Sequence, residues 1–321
     1  MTKIRVGVLR GGPSNEYDIS LKTGKTVLDT LEREKYEPVD IFIDKAGQWH
    51  ADGFPLAPEH ATKRVDVVFN ALHGAYGEDG EVQRILESTA TPYTGSRSFA
   101  SALAMHKGRT KEVLAQNGIK TPPHIIFDTR TQGPSDVLEI FKTFPNPSVV
   151  KPVADGSSFG VSIVRKFDDL GEAIERASKF SPEVLIEAFV NGKEATCGVI
   201  EDFKGEKVYT LLPIEIIPPK ESAFFDSDAK YGGGAEERCP GRFSREETQA
   251  IQDAARATHQ AVGASHYSRT DCMVTPRGDV YVLEINTLPG LTSESLFPKS
   301  LNAVGVPLAH FLDHIVTLAY R

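Results

Sequence analysis

In this chain of 321 residues, Arg269, Asp271, Glu284 and Asn286 lie close together in a stretch, 269–290, that reads as a single β-hairpin. Thr270–Val274 and Val280–Ile285 are rich in strand-favouring residues, and Pro276-Arg-Gly-Asp279 between them reads as a turn. A four-residue loop there puts Thr275 opposite Val280, Asp271 opposite Glu284 and Arg269 opposite Asn286. Residues two apart on a strand share a face, so these side chains point the same way. Two carboxylates and an amide oxygen gathered this closely repel, or stay poorly satisfied, unless a cation sits among them. Hard oxygen ligands, few in number, suit Mg²⁺ that is also held by substrate phosphates. Taken alone, the same stretch also fits an exposed hairpin edge with solvated charges.

Other stretches carry related groups. Lys151-Pro-Val-Ala-Asp-Gly-Ser-Ser-Phe-Gly160 reads as a hairpin loop with a lysine at the end of its incoming strand. Backbone N–H groups in such a Gly/Ser turn can converge on phosphate oxygens, with the lysine as a point charge. It is not a Walker loop, and in isolation it is only a turn. Val184–Val190 is a strand ending near Glu187, with Glu194 shortly after. A linker there can offer backbone groups to an adenine edge and a carboxylate to a ribose, or simply carry solvated acids. Asn70–Glu81, with His73, follows a strand at its carboxyl end, where open α/β sheets place ligands. Glu16 holds the equivalent place in the first strand–helix loop, although a lone acid near a helix N-terminus is also routine.

The elements that must position these groups follow from periodicity. Ile4–Leu9, Val39–Ile43 and Val65–Ala71 read as strands of a doubly wound parallel sheet, with helices to about Leu31 and over Val82–Ser88. Ser98–Asn117 reads as one helix stopped by Gly118. Ser148–Lys151, Gly160–Val164 and Val184–Phe189 read as strands around a helix at Asp168–Ser178. Ala195–Ile200 and Lys207–Ile216 are strands, Glu246–Val262 and His310–Leu318 helices. The polar segment 218–242, too long for a routine connection, reads as a lid. The expected class is α/β with α+β parts, in three domains: 1–97, 98–190 and 191–321.

Composition narrows the rest. At 40% apolar and 25% charged the chain is ordinary globular material, and a net charge of −8 argues against a nucleic-acid binder. The opening residues lack a signal peptide's apolar core, and no run approaches a membrane span. Cys197, Cys239 and Cys272 have no metal-ligand spacing and read as buried reduced thiols of a cytoplasmic protein.

Together the motifs resemble those of the D-alanine–D-alanine ligases of the ATP-grasp superfamily along nearly the whole chain. The matching segments are Gly11–Gly24, Ala71–Gly80, Lys151–Val161, Ala229-Lys-Tyr231, Arg269-Thr-Asp271 and Glu284–Leu296. The resemblance implies a three-domain ATP-grasp fold whose N-terminal domain is Rossmann-like. It also implies that ATP phosphorylates one D-alanine and that the amine of a second attacks the acyl phosphate, supplying a peptidoglycan precursor. By the same resemblance Lys107, Lys151 and the loop with Gly156 and Ser158 hold phosphates, while Glu187, Val190 and Glu194 contact adenine and ribose. Asp271, Glu284 and Asn286 take two Mg²⁺ (or Mn²⁺) ions. Arg269 and the Gly290 N–H stabilise the oxyanion. Glu16 takes the first D-alanine's ammonium with His73 close by, and Ser295, next to Leu296, takes the second one's carboxylate. Lys230 and Tyr231 belong to the lid, with Tyr231 latched through Ser157 to Glu16. A homodimer is implied as well. The chain departs from the family pattern at His106, where many relatives carry Asp, at Ala188, in the Gly232–Gly234 run and at Glu294. A D-serine or D-lactate acceptor, another carboxylate–amine ligation and a non-enzymatic nucleotide-binding module are the competing readings.

Overall fold

The computed structural model describes residues 2–154, 160–218 and 235–321. Its first part runs β1 (Ile4–Gly11), α1 (Tyr17–Thr30), β2 (Tyr36–Ile43), β3 (Trp49–Ala51), β4 (Phe54–Pro55), α2 (Pro58–Thr62), β5 (Val67–Asn70) and α3 (Glu81–Ser88). The sheet order is β4-β3-β2-β1-β5. Strand β1 pairs in parallel with both β2 and β5, whereas β3 and β4 add an antiparallel edge that the periodicity did not reveal. The chain reverses its winding at β1, so the carboxyl ends of β1 and β5 flank the switch point where such sheets bind ligands. Glu16 follows one of these ends and His73 the other.

Next come α4 (Ser98–Met105), α5 (Lys107–Gln116), β6 (His124–Asp128), α6 (Pro134–Thr143), β7 (Ser148–Pro152), β8 (Ser162–Val164), α7 (Phe167–Ser178) and β9 (Glu183–Ala188). The single helix expected over 98–117 is broken at His106, whose backbone is extended (φ −91°, ψ 91°). The four strands form an antiparallel sheet ordered β6-β9-β7-β8. One face is covered by α7, which buries Leu170, Ala173, Ile174 and Ala177 at helical spacing.

The last part holds β10 (Lys193–Phe203), β11 (Glu206–Thr210), β12 (Ile214–Ile217), β13 (Glu236–Arg238), α8 (Arg245–Val262), β14 (Tyr267–Val274), β15 (Val280–Asn286), α9 (Leu296–Ala303) and α10 (Leu308–Tyr320). The strand expected over 207–216 is therefore two strands. Helix α8 starts at a reciprocal cap, in which Ser244 Oγ accepts from Glu247 N (3.1 Å) and Glu247 accepts from Ser244 N (2.7 Å). One apolar cluster joins β1, β5 and α1 to α9 and α10, so the first and last sheets share a core. The β6–β9 sheet has a core of its own around Phe127, Val150 and Ile186. No single helix among the described residues is long and apolar enough to cross a membrane. The bent pair α9–α10 passes on length and composition alone, and its apolar residues lie in the shared core. Cys197 and Cys272 are buried as expected, whereas Cys239 is half-buried.

Candidate active site

The 269–286 hairpin forms with Asp271 opposite Glu284 and Arg269 opposite Asn286. The turn, however, is set one residue differently from the expectation: Val274, not Thr275, faces Val280. The register changes between Asp271 and Cys272, where Leu283 is the extra residue of a bulge, and this restores the pairing at the polar end. Asp271 is almost fully buried and accepts from Arg269 Nε (2.9 Å), Arg269 Nη2 (2.8 Å) and Thr196 Oγ1 (2.5 Å) on the neighbouring strand. Burial alone lowers the affinity of the Arg269 guanidinium for its proton, but Asp271 and Glu284 outweigh that and raise its pKa. Asn286 Oδ1 accepts from Leu288 N (2.8 Å), which fixes the amide's orientation. Glu284 Oε2 lies 3.2 Å from Lys107 Nζ, an ion pair that joins strand β15 to helix α5. Glu78, Met105, Lys107, Glu284 and Asn286 line one cleft.

Lys107 is the first residue of α5. The break before it is stabilised by His106, whose Nδ1 accepts from Arg109 N (3.2 Å) and whose Nε2 lies 3.3 Å from Glu183. Lys107 N in turn donates to Val153 O (3.0 Å), pinning the start of α5 beside the end of β7, the strand that carries Lys151. Lys151 Nζ sits 2.7 Å from Glu187 Oε1. Lys111, one helical turn beyond Lys107, sits 2.8 Å from Glu187 Oε2 and donates to Thr121 Oγ1 (2.7 Å). All three charges are buried, at 0% exposure for Lys111, 3% for Glu187 and 7% for Lys151. Burial pulls Lys111 down to about 8, against the attraction of Glu187. It also pulls on Lys151, yet Glu187 and Glu284 outweigh it and leave that ammonium above the ordinary lysine value. Burial raises the Glu187 carboxyl, and the two lysines more than reverse this. Glu187 is therefore a buried counterion as well as a candidate nucleotide contact. Val190 and Glu194 follow on the exit from β9 and the start of β10, both partly exposed.

The switch-point loops meet at Gly74, where φ is +70° and an added Cβ would lie 2.8 Å from Glu16 Oε2. Only glycine lets the loop approach that carboxylate so closely. Ser14 Oγ donates to His73 O (2.6 Å), tying the two loops together. His73 is buried, its Nε2 2.9 Å from Thr23 Oγ1 and its Nδ1 3.5 Å from Glu78, which also accepts from Gly74 N (3.0 Å). Across the cleft, a Cβ on Gly290 would stand 2.8 Å from Ser295 Oγ, which pairs with Thr292 Oγ1 at 2.8 Å. Ser295 is the N-cap residue of α9 and Leu296 its first residue, so the helix N-terminus faces an approaching carboxylate favourably. Gly156, Ser157, Ser158, Lys230 and Tyr231 lie outside the described residues.

Two participants went unread in the sequence: Lys111 and Glu78. The i, i+4 spacing of Lys107 and Lys111 places both on one helix face and was a usable signal for the first. Among the described residues no group of three or more His, Cys, Asp or Glu could hold a metal. The hairpin instead offers two carboxylates and an amide oxygen.

A lysine-bearing antiparallel sheet facing an acidic hairpin, beside a parallel sheet that opens on the same cleft, marks an ATP-grasp ligase. Solved structures agree. The D-Ala:D-Ser ligase VanG of Enterococcus faecalis superposes with a TM-score of 0.87 at 29% identity, covering 99% of this chain and 100% of that one. The D-alanine–D-alanine ligase of Bacillus anthracis superposes at 0.83 with 36% identity, covering 98% and 97%. The same enzyme complexed with ATP superposes at 0.80 with 33% identity, covering 98% and 97%. The family models for the D-ala D-ala ligase N-terminus (residues 5–60 and 51–96) and C-terminus (113–317) both match. The D-alanine–D-alanine ligase of Syntrophobacter fumaroxidans is 39% identical over 318 residues, covering 99% of this chain and 98% of its own. The chain belongs to the D-alanine–D-alanine ligase family.

Proposed function

We propose that the protein joins two molecules of D-alanine in an ATP-consuming reaction, through a D-alanyl phosphate, to supply a peptidoglycan precursor. The observation that carries this reading is the Lys107–Glu284 ion pair, which brings a phosphate-binding candidate from helix α5 and a metal-binding candidate from strand β15 to one cleft.

Activation is needed because a carboxylate is a poor electrophile towards an amine, and phosphate is a good leaving group. Lys107 and Lys151 are the cations for the phosphates, with the loop of Gly156 and Ser158 beside them. Glu187, whose Oε1 is released if Lys151 turns to the phosphates, fits an exocyclic amine such as that of adenine. Val190 and Glu194 complete that end. Asp271, Glu284 and Asn286 fit a hard divalent cation, Mg²⁺ or Mn²⁺, in two copies. When bound, those ions neutralise phosphate charge. Asp271 orients the Arg269 guanidinium, so that its other N–H groups and the Gly290 N–H can face the reacting carbonyl oxygen. Glu16 receives the ammonium of the first D-alanine, supported by the His73–Gly74 loop. Ser295 and Leu296 receive the second. Lys230 and Tyr231 serve the lid, 218–242, and Tyr231 engages Ser157. We take residues 1–97, 98–190 and 191–321 as the domains, a homodimer as the assembly and the cytoplasm as the compartment.

The superposition on a D-Ala:D-Ser ligase favours D-serine as the second reading for the acceptor. Product analysis with D-alanine alone and with D-serine or D-lactate added decides between them. D-Alanyl-D-alanine as the main product supports the proposal, and a mixed dipeptide or depsipeptide as the main product overturns it.

A further inference from the structure

Glu187 is 3% exposed and touches two ammonium groups, one on each carboxylate oxygen. Only Lys151 has a task in the reaction proposed above. Lys111 is fully enclosed, with Nζ held by Glu187 at 2.8 Å and Thr121 at 2.7 Å, and it cannot reach a ligand in the cleft without leaving both. In the state described, both candidate phosphate lysines rest on carboxylates: Lys107 on Glu284 and Lys151 on Glu187. Phosphates claim both lysines when nucleotide enters. Glu284 then has metal as its new partner. Glu187 has none of that kind, and a buried carboxylate stripped of its counterion costs several kcal/mol.

We infer that Lys111 is a positioning residue for nucleotide binding: it is the permanent counterion of Glu187, and it frees Lys151 to move from that carboxylate to the phosphates. This rests on the reading of Lys151 as a phosphate ligand. Thr121, on the segment before β6, fixes the Lys111 ammonium, so the partner that stays is anchored from outside the nucleotide site. The charges facing Lys111 are Glu187 and Lys151 from β9 and β7, Glu284 from β15, and His124 from β6. Lys151 is the one among these that opposes its proton and is set to move.

Calorimetry with ADP–Mg²⁺ tests the inference, together with steady-state kinetics. Lys111→Met is expected to weaken ADP–Mg²⁺ binding and raise the KM for ATP at least about tenfold, the scale of a lost buried charge partner. The KM for D-alanine should change less than about twofold. The double variant Lys111→Met, Glu187→Gln removes both charges and should bind nucleotide within about threefold of Glu187→Gln alone. In the unaltered protein, the loss of Lys151 from Glu187 strengthens the hold of Lys111 on its proton. Binding of metal-free ADP, which leaves the Glu284 charge in place, should therefore take up protons, little at about pH 7 and more towards about pH 9. A purely structural lysine would lower thermal stability and leave this uptake and the KM split unmoved. Wild-type affinity in folded Lys111→Met, a double variant as weak as the single one, or no proton uptake overturns the inference. Lys151→Met separates the two levels. If it binds nucleotide normally, the reading of the site itself fails; if it loses nucleotide while Lys111→Met does not, only the role of Lys111 fails.

Discussion

The two walls of the cleft solve the same electrostatic problem differently. On the hairpin wall, Asp271 is locked by a two-pronged arginine from its own strand, whereas Glu284 pairs with Lys107 from helix α5. On the β7–β9 wall, Glu187 is enclosed between two lysines. Arg269, two residues from Asp271 on one strand, holds that charge whether or not a ligand is present, and Lys111 from helix α5 is inferred to do the same for Glu187. The Lys107–Glu284 pair joins helix α5 to strand β15, and it is the contact that phosphate and metal would replace on both sides. The contrast teaches that access to an incoming ligand, rather than distance or burial, separates the structural pairs, Arg269–Asp271 and Lys111–Glu187, from those inferred to exchange, Lys107–Glu284 and Lys151–Glu187.

Breaking the exchangeable pair at its carboxylate should have the largest effect on turnover. Glu284→Gln is expected to lower D-alanine-dependent ADP release by on the order of a thousandfold, the scale of a lost transition-state electrostatic contact. A folded variant with near-normal release would remove the hairpin from the chemistry. The locked pair should differ in stability. Arg269→Met leaves Asp271 buried without its main partner and should cost about 3–5 kcal/mol in urea unfolding. Lys107→Met, whose partner Glu284 is more exposed than Asp271, should cost less than Arg269→Met while weakening ATP. Equal losses in these two variants would erase the distinction between the pairs.

Smaller changes sharpen the picture at the edges. Gly290→Ala places a Cβ 2.8 Å from Ser295 Oγ and is expected to raise the KM for D-alanine about tenfold, leaving that for ATP within about twofold. An equal rise in both would mean that Ser295 does not face the acceptor. His106→Ala removes the acceptor at the head of α5 and should cost about 1 kcal/mol, whereas His106→Asp should retain the cap. Thermal unfolding of the two variants checks this, and equal losses would show that the cap is immaterial.

Much of this site was legible because its residues sit on strands, where the alternation of faces is rigid. The shared face of Arg269 with Asp271, and of Glu284 with Asn286, follows from that alternation, whereas the pairing of Asp271 with Glu284 also needs the bulge. The bulge at Leu283 does not follow from it, since a Pro-Arg-Gly-Asp turn fits more than one loop length. The break at His106 was hidden because its neighbours tolerate a helix, and one of the side-chain contacts made there is with Glu183, 77 positions away. Likewise, Glu187 reads in the sequence as a strand-end acid. Its burial between Lys111 and Lys151 depends on how α5 packs on the β6–β9 sheet, which local pattern does not encode. In the N-terminal sheet the parallel core was readable from continuous apolar runs. The two-residue β4 was too short to leave a pattern.

The most direct test of the account is ADP release by the unaltered protein, measured with ATP and Mg²⁺ in the presence of D-alanine or of L-alanine. The account predicts release that depends on D-alanine, yields D-alanyl-D-alanine in equal amount, and is absent with L-alanine. Equal release with either enantiomer, or release without dipeptide, would contradict it.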